Sequence, residues 1–170
     1  MPMAAPIRST MRNAIGARAT LRIELPAEPR VVPALRHSIA GFLRVLPLTA
    51  EEVEGLKLAT CEAISNAIRH GSPQGPHSRV QVVCRVDRQG LVIEVVDQGP
   101  GVDSPRRGDR LPPPWETSGR GLFLMRQFTD GVQFVRHEQG LRVRLIKRLA
   151  GKAMPPPGGA ARSPAYHASA

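Results

Sequence analysis

Hydrophobic residues follow β-strand patterns in five segments of the chain. Leu21, Ile23 and Leu25 alternate with polar residues, which predicts a strand that ends at Pro26. Segments 80–86, 91–96, 131–136 and 141–147 are β-rich, and residues 87–90 and 137–140 join them in two pairs through turns that contain glycine. These patterns predict two β-hairpins. Because no helix separates the members of either pair, we expect a mixed, mostly antiparallel sheet.

Three other segments have helical spacing of their apolar residues. Two of them are residues 31–44 and 122–128. The third is predicted over residues 50–70, because Thr49 and Glu52 have the spacing of a capping box and Gly71 can act as a C-terminal cap. Its apolar arc contains Val53, Leu56, Thr60, Ala63, Ile64, Ala67 and Ile68. With helices on one face of the sheet, the expected fold is α+β, a two-layer α/β sandwich.

The composition indicates one domain with unstructured ends. The chain has 170 residues, of which 41% are hydrophobic, so it can bury one sizeable core. Residues 1–18 carry arginines without acids and are expected to be a disordered leader, although they also resemble an organelle transit peptide. Residues 151–170 are rich in proline and glycine and are expected to be a disordered tail. The folded domain is therefore predicted over residues 19–150.

Charge and cysteine content narrow the classes of function. The formal net charge is +10, but half of this excess lies in the two ends, and the chain has only one Trp, one Tyr and four Phe. We therefore expect no direct nucleic-acid binding. No apolar run is long enough to span a bilayer and no secretion signal is present, so a cytoplasmic location is expected, without membrane contact. Cys61 and Cys84 lack disulfide or metal-ligand spacing and are expected to be buried thiols.

Three polar residues border the apolar arc of the predicted helix over residues 50–70. Glu62, Asn66 and His70 are each four residues apart, so they form one line along the helix. Taken alone, this line is also what an ordinary solvated helix flank would show.

Two glycine motifs follow the helix in the sequence. Asp97, Gly99 and Gly101 stand at the end of a predicted strand, where glycines let the backbone approach a flat ligand and the carboxylate can accept a hydrogen bond from it. A tight turn would need the same glycines. Gly119, Arg120 and Gly121 precede the predicted helix over residues 122–128, where backbone N–H groups suit a phosphate chain. Residues 102–117 between the motifs are rich in proline and arginine and are predicted to be a lid.

In this order and spacing, the three motifs resemble the N, G1 and G2 boxes of the GHKL ATPases, the superfamily that includes gyrase, histidine kinases and anti-sigma-factor serine kinases. The short lid, the single domain and the Gly-Arg-Gly-Leu-Phe-Leu-Met sequence from residue 119 are most similar to the anti-sigma-factor serine/threonine kinases. The resemblance covers residues 19–149. It implies the Bergerat-type ATP-binding fold.

The resemblance also implies ATP and Mg²⁺ as cofactors and a role for each matched residue. Glu62 would be the catalytic general base, Asn66 the Mg²⁺ ligand, and Asp97 the acceptor for the adenine amino group. The other matched residues would let the backbone close over the base or wrap the phosphates: Gly99, Gly101, Gly119, Arg120 and Gly121. His70 matches a frequent family residue, but a structural role at the helix end fits it equally well. Leu141 departs from the family, because many relatives have Thr there.

The implied function is that of an anti-sigma regulatory factor with serine kinase activity. Such a protein phosphorylates a STAS-type antagonist and sequesters a sigma factor, and a homodimer formed through the first strand and helix would fit the family. The alternative is a nucleotide-dependent protein-binding switch with little or no phosphotransfer. An intact Glu62 favours the kinase, because a protein that only binds has no need of a general base.

Overall fold

In the part of the chain that the structure describes, six β-strands form one sheet, and three α-helices pack on one of its faces. The computed structural model describes residues 7–14, 18–87, 90–101, 120–137 and 140–149. The strands are β1 (Arg8–Ala14), β2 (Arg18–Pro26), β3 (Arg79–Asp87), β4 (Gly90–Val96), β5 (Gly131–His137) and β6 (Gly140–Lys147). The helices are α1 (Val32–Arg44), α2 (Ala50–His70) and α3 (Arg120–Phe128), with 3-10 turns at Pro29–Val31 and Gly75–His77.

The sheet has the strand order β1-β2-β3-β4-β6-β5, and each pairing between its described strands is antiparallel. The two predicted hairpins are confirmed as β3–β4 and β5–β6. The expected parallel component is not found among these pairings, because β6 returns beside β4 in the antiparallel direction and β5 lies outside it. The two-layer α/β sandwich is confirmed.

The core lies between the sheet and the helices. Alternate residues of the strands, such as Ile23, Val82, Ile93 and Leu145, are almost completely buried, and they share one cluster with apolar residues of all three α-helices. The helix α2 packs against both α1 and α3 and is the central helix of its layer. This position explains why so many of its residues are small or apolar.

The predicted capping box at the start of α2 is confirmed. The Thr49 side-chain oxygen accepts a hydrogen bond from the Glu52 amide (3.1 Å), and a Glu52 carboxylate oxygen accepts one from the Thr49 amide (2.9 Å). Lys147 at the end of β6 lies 3.0 Å from the other Glu52 oxygen. Both contacts lower the pKa of Glu52, the backbone hydrogen bond from Thr49 more than Lys147. The start of α2 is thus tied to its cap and to the sheet.

The expected disordered leader over residues 1–18 is wrong for residues 8–14, which form β1, and for Arg18, where β2 begins. Seven residue pairs join β1 to β2 in an antiparallel ladder, from Arg8 opposite Glu24 to Ala14 opposite Arg18. The ladder uses backbone groups that every residue carries, so it needs no alternating hydrophobic pattern in β1. Residues 1–6 and the predicted tail over residues 151–170 lie outside the described residues.

Both cysteines are buried free thiols, as predicted. Cys84 lies in the centre of the sheet, where burial raises its pKa to about 12. Cys61 lies in α2, and the Arg36 Nε atom of α1 is 3.4 Å from its sulfur. None of the described helices is long and apolar enough to cross a membrane.

Candidate nucleotide-binding site

A cleft of about 510 Å³ lies between the C-terminal half of α2, the end of β4, the start of α3 and the β5–β6 hairpin. Six of the eight residues to which the resemblance gives a nucleotide-site role line it: Glu62, Asn66, Asp97, Gly101, Arg120 and Gly121. The fold therefore brings the three sequence motifs around one cavity, although they are far apart in the chain.

One end of the cleft is formed where α2 meets the start of α3. A Cβ atom placed on Gly121 would lie 3.0 Å from the Glu62 Oε2 atom and 3.4 Å from the Asn66 Nδ2 atom. The carboxylate and the amide therefore both face the first turn of α3, whose backbone N–H groups have no partner within the helix. Glycine at position 121 keeps the space between these groups open. This end of the cleft combines an anionic oxygen, an amide and a helix N-terminus.

Asp97 stands at the other end of the cleft, directly after β4. It is only 5% exposed, and its Oδ1 atom accepts hydrogen bonds from the backbone N–H groups of Gly99 (2.9 Å) and Leu141 (3.2 Å). The Asp97 amide donates to the Leu141 carbonyl at 3.0 Å, which extends the β4–β6 pairing by one residue. Two donors on one oxygen fix the orientation of the carboxylate.

Three glycines leave room for Asp97 and the turn after it. A Cβ atom on Gly71 would lie 2.1 Å from the Asp97 carboxyl carbon, and one on Gly140 would lie 2.0 Å from the Asp97 carbonyl oxygen. A Cβ on Gly99 would lie 2.5 Å from the Gly71 Cα atom, and the Gln98 amide donates to the Gly71 carbonyl at 3.0 Å. The end of α2 and the turn after β4 therefore touch backbone to backbone.

These contacts revise the roles expected for two glycines. Gly71 does follow α2 as its cap residue, but its φ of −101° is open to any residue, so the requirement for glycine comes from contact with Asp97. Gly99 was expected to let the backbone close over a base. It packs against Gly71 and is not part of the cleft lining.

Apolar side chains form the rest of the cleft wall. They come from α3 and from the β5–β6 hairpin: Leu122, Leu124, Phe134, Leu141 and Val143. Leu141, where the resemblance implies a Thr, contributes a hydrocarbon side chain to the cleft wall, and its backbone N–H donates to Asp97.

The mouth of the cleft is polar. Arg69 and His70 from the last turn of α2 and Arg120 from α3 line it, and all three are exposed. Gly101, with a φ of +79°, lies beside the Arg136 side chain, since a Cβ on Gly101 would be 3.3 Å from the Arg136 Nε atom. Gly119 and the predicted lid over residues 102–117 lie outside the described residues.

Comparison with known proteins agrees with this geometry. The sequence profile of the histidine kinase-like ATPase domain matches residues 25–147. Proteins named serine-protein kinase RsbW from Bacillus subtilis and Bacillus velezensis are 29% and 31% identical to the chain, over 78% of this chain and 87% of each relative. An anti-sigma F factor from Heyndrickxia coagulans is 30% identical, over 78% of this chain and 94% of that protein.

The chain belongs to the anti-sigma kinase family of histidine kinase-like ATPases. The predicted family is therefore confirmed. A solved structure also matches, that of the RsbU and RsbW domains of Rv1364c from Mycobacterium tuberculosis, with a TM-score of 0.55 and 16% identity. The match covers 76% of this chain and 32% of that longer chain, and at this identity it supports the fold alone.

The donor set of this anti-sigma kinase homologue fits a magnesium ion. Asn66 and Glu62 line the end of the cleft that faces α3, and their side chains carry an amide oxygen and carboxylate oxygens, the ligand type that Mg²⁺ prefers. The described residues contain no cluster of three or more His, Cys, Asp or Glu side chains able to hold a metal. A site that relies on one or two protein oxygens and on phosphate oxygens matches Mg²⁺, which usually keeps several waters.

Sequence reasoning missed three contributors to the site. They are the contact of Gly71 with Asp97, the contact of Gly140 with the Asp97 carbonyl, and the Leu141 amide that holds the carboxylate. Each of them joins residues that are 26 to 44 positions apart in the chain. Both glycines had a signal in the sequence, Gly71 as a helix cap and Gly140 as the last residue of a predicted hairpin turn. Neither signal indicated the contact with Asp97, and the backbone N–H of Leu141 has no sequence signature.

Proposed function

We propose that the chain binds ATP in this cleft and transfers the γ-phosphate to a serine of a partner protein. One observation carries the proposal: Glu62 and Asn66 face the first turn of α3 at one end of the cleft, while Asp97 is held at the other end. The cleft would thus combine a base-recognition group, a phosphate-binding helix start and apolar side chains suited to a ring system.

At the base end, Asp97 would accept a hydrogen bond from the exocyclic amino group of adenine. Its orientation is already set by the Gly99 and Leu141 amides, so ligand binding need not order it. The apolar wall from Phe134, Leu141 and Val143 would bury the faces of the base. An amino group is a donor, whereas guanine presents a carbonyl at the same position, so the carboxylate favours adenine.

At the phosphate end, Gly119, Arg120 and Gly121 would wrap the triphosphate. The start of α3 offers backbone N–H groups and the positive end of the helix dipole, and Arg120 adds a charge at the mouth. Asn66 would hold Mg²⁺, which when bound neutralises charge that develops on the phosphate oxygens. Gly121 leaves Asn66 and Glu62 accessible to the terminal phosphate.

Glu62 would act as the general base. Its carboxylate would accept the proton of the serine hydroxyl, while the hydroxyl oxygen forms a bond to the γ-phosphorus. The bond between the γ-phosphorus and the bridging oxygen breaks, and ADP leaves with that oxygen. The side chain is half-buried and lines the cleft, so a serine that enters the cleft would be able to reach it.

The names of the relatives suggest the partners. Serine-protein kinases and anti-sigma F factors among them support a sigma factor as a partner that this chain binds. We extend this to a STAS-type antagonist as the phosphate acceptor, to a cytoplasmic location, and to a homodimer through β2, the first strand predicted from the sequence, and α1. No direct contact with nucleic acid or membrane is part of the proposal.

The second candidate function is a nucleotide-dependent switch that binds partners with little phosphotransfer. It would use the same cleft, including Asp97 and Asn66, but would not need the carboxylate of Glu62. The half-buried position of that carboxylate beside Gly121 is the observation that favours the kinase.

Two substitutions on α2 separate these functions. Glu62→Gln preserves the shape of the side chain, so binding of Mg-ADP should stay close to wild type while phosphotransfer falls by about 10² to 10⁴. Asn66→Ala removes the metal ligand, so nucleotide binding should weaken as well. Glu51→Gln is the matched control, because Glu51 is an exposed carboxylate in the first turn of the same helix.

The measurements are calorimetry with Mg-ADP and transfer of labelled γ-phosphate to a purified STAS-domain acceptor. A wild type that transfers no phosphate, yet holds the acceptor or a sigma factor in a nucleotide-dependent way, would replace the kinase with the switch. If Glu62→Gln transfers phosphate at the wild-type rate, Glu62 is not the base.

A further inference from the structure

The sheet face opposite the helices is strongly basic. Its residues follow from the strand pairings, because residues directly opposite one another in antiparallel strands point to the same face. We name as the arginine face the six arginines and two glutamates whose described side chains lie there: Arg8, Arg22, Arg79, Arg85, Arg142, Arg144, Glu24 and Glu94. These residues leave an excess of four positive charges on one flat surface.

The arginines lie along the sheet. Val83 and Val92 are on this face, where no described helix packs, yet they are only 7% and 3% exposed. The side chains of Arg85 and Arg144 are 38% and 29% exposed. Their aliphatic stems therefore cover apolar strand residues and leave the guanidinium groups at the surface.

Glu94 is the acidic centre of the face, and its charge is already matched. Its Oε1 atom lies 3.0 Å from the Arg144 Nε atom and 3.7 Å from an Arg85 Nη atom, while Arg144 also donates to the Gln133 side chain at 3.2 Å. The remaining cationic groups therefore dominate the field outside the face. Among them, the Arg142 Nε atom is buried and has no hydrogen-bond acceptor in the described part of the chain.

We propose that the arginine face binds an acidic, partly apolar segment of a partner protein, whose carboxylates pair with Arg22 and Arg142. Guanidinium groups bind carboxylates with two parallel hydrogen bonds, which suits a fixed flat surface. Val135, which is 41% exposed, lies on the same face beside Arg142 and offers an apolar contact. The proposal concerns a different surface from the nucleotide cleft and does not depend on the proposed function.

Charge argues against three other occupants of the arginine face: the ends of this chain, a second copy of the chain and nucleic acid. Residues 1–18 and 151–170 contain no acidic residue, so neither end of this chain complements the face. A second copy would place one positive surface against another. Nucleic acid fits less well than a protein, because no described side chain of the face is aromatic and two glutamates interrupt the positive charge.

The test compares two double variants with equal loss of charge. Arg22→Gln with Arg142→Gln changes the arginine face, and Arg36→Gln with Arg44→Gln changes α1 in the helix layer. The probe is fluorescent poly-L-glutamate, followed by anisotropy at low and at physiological ionic strength. We expect the first variant to bind the probe about threefold to tenfold more weakly and the control to change by less than about twofold, as for two partly exposed ion pairs.

Further arms decide between the possible outcomes. Arg22→Gln alone, at an exposed position, should show part of the loss even if the double variant folds poorly, and Mg-ADP binding reports whether each variant is intact. Equal weakening of both double variants would mean that only overall charge matters, which overturns the proposal. Tighter binding of duplex DNA than of poly-glutamate, lost in the first variant, would make the face a nucleic-acid site. Self-association that the first variant abolishes would make it an interface between copies.

Discussion

Replacement of Gly71 by alanine tests how the Asp97 end of the cleft is built and whether it contacts the base, as proposed. The added Cβ would lie 2.1 Å from the Asp97 carboxyl carbon and 2.2 Å from its Oδ2 atom, whereas ordinary contacts begin at 3.4 Å. The carboxylate must therefore move by about 1.3 Å, because the end of α2 is held against the turn after β4. A movement of this size breaks at least one of the two hydrogen bonds that orient Asp97.

A displaced Asp97 carboxylate would also lose its proposed hydrogen bond to the adenine amino group. Because a hydrogen bond to a charged group contributes about 2 kcal/mol, the affinity for Mg-ADP should fall about thirtyfold. Overpacking should also reduce the free energy of unfolding by about 1 to 3 kcal/mol. The matched control is Gly41→Ala in α1, where an added Cβ meets no atom within 4 Å. This control should leave nucleotide affinity unchanged and stabilise the helix by about 0.5 to 1 kcal/mol.

Calorimetry with Mg-ADP and urea unfolding of both variants would measure these effects. If Gly71→Ala is folded and binds Mg-ADP within about twofold of wild type, then Asp97 either tolerates the shift or does not contact the base. In either case the reasoning from the glycine contacts would fail.

Two further predictions concern stability and reactivity. The pKa of Glu52 is lowered by the hydrogen bond from the Thr49 backbone and by Lys147. The ionised carboxylate therefore stabilises the fold at pH values above the usual glutamate pKa. This stabilisation is lost as the pH falls through the folded-state pKa. Glu52→Gln should therefore have a lower free energy of unfolding than wild type at neutral pH and the same value in acid, as measured by urea unfolding at both pH values. An equal difference in the free energy of unfolding at both pH values would contradict the lowered pKa. With Cys61 replaced by serine, the thiol of Cys84, whose pKa burial raises to about 12, should react with a thiol reagent at neutral pH only as fast as the protein unfolds. Fast labelling of the native protein would show that Cys84 is accessible.

The strands and helices were largely predictable because each had a local cause. Burial on one face produced the alternation in Leu21, Ile23 and Leu25, and the capping box at Thr49 marked the start of α2. The strand β1 showed no alternation of this kind. Its exposed residues Arg8 and Thr10 are polar, and its pairing with β2 is made by backbone hydrogen bonds. A sheet edge formed in this way cannot be read from side-chain periodicity.

The candidate site shows the same division. Glu62 and Asn66 could be placed together because helical spacing aligns residues four positions apart. The clearance at Gly71 could not be predicted, because it depends on where the turn after β4 crosses the end of α2. The donor at Leu141 was likewise hidden, since the sequence shows a leucine where a hydroxyl was expected, while the hydrogen bond comes from the backbone.

The insertion of β6 between β4 and β5 affects the order in which the molecule can fold. The hairpins β1–β2, β3–β4 and β5–β6 close over short distances in the chain, whereas β4 and β6 meet only after a long loop has closed. The bonds between Asp97 and Leu141 continue that late pairing. We therefore expect the Asp97 end of the cleft to be absent from the folding transition state. Bound nucleotide would then slow unfolding and leave the rate of folding unchanged.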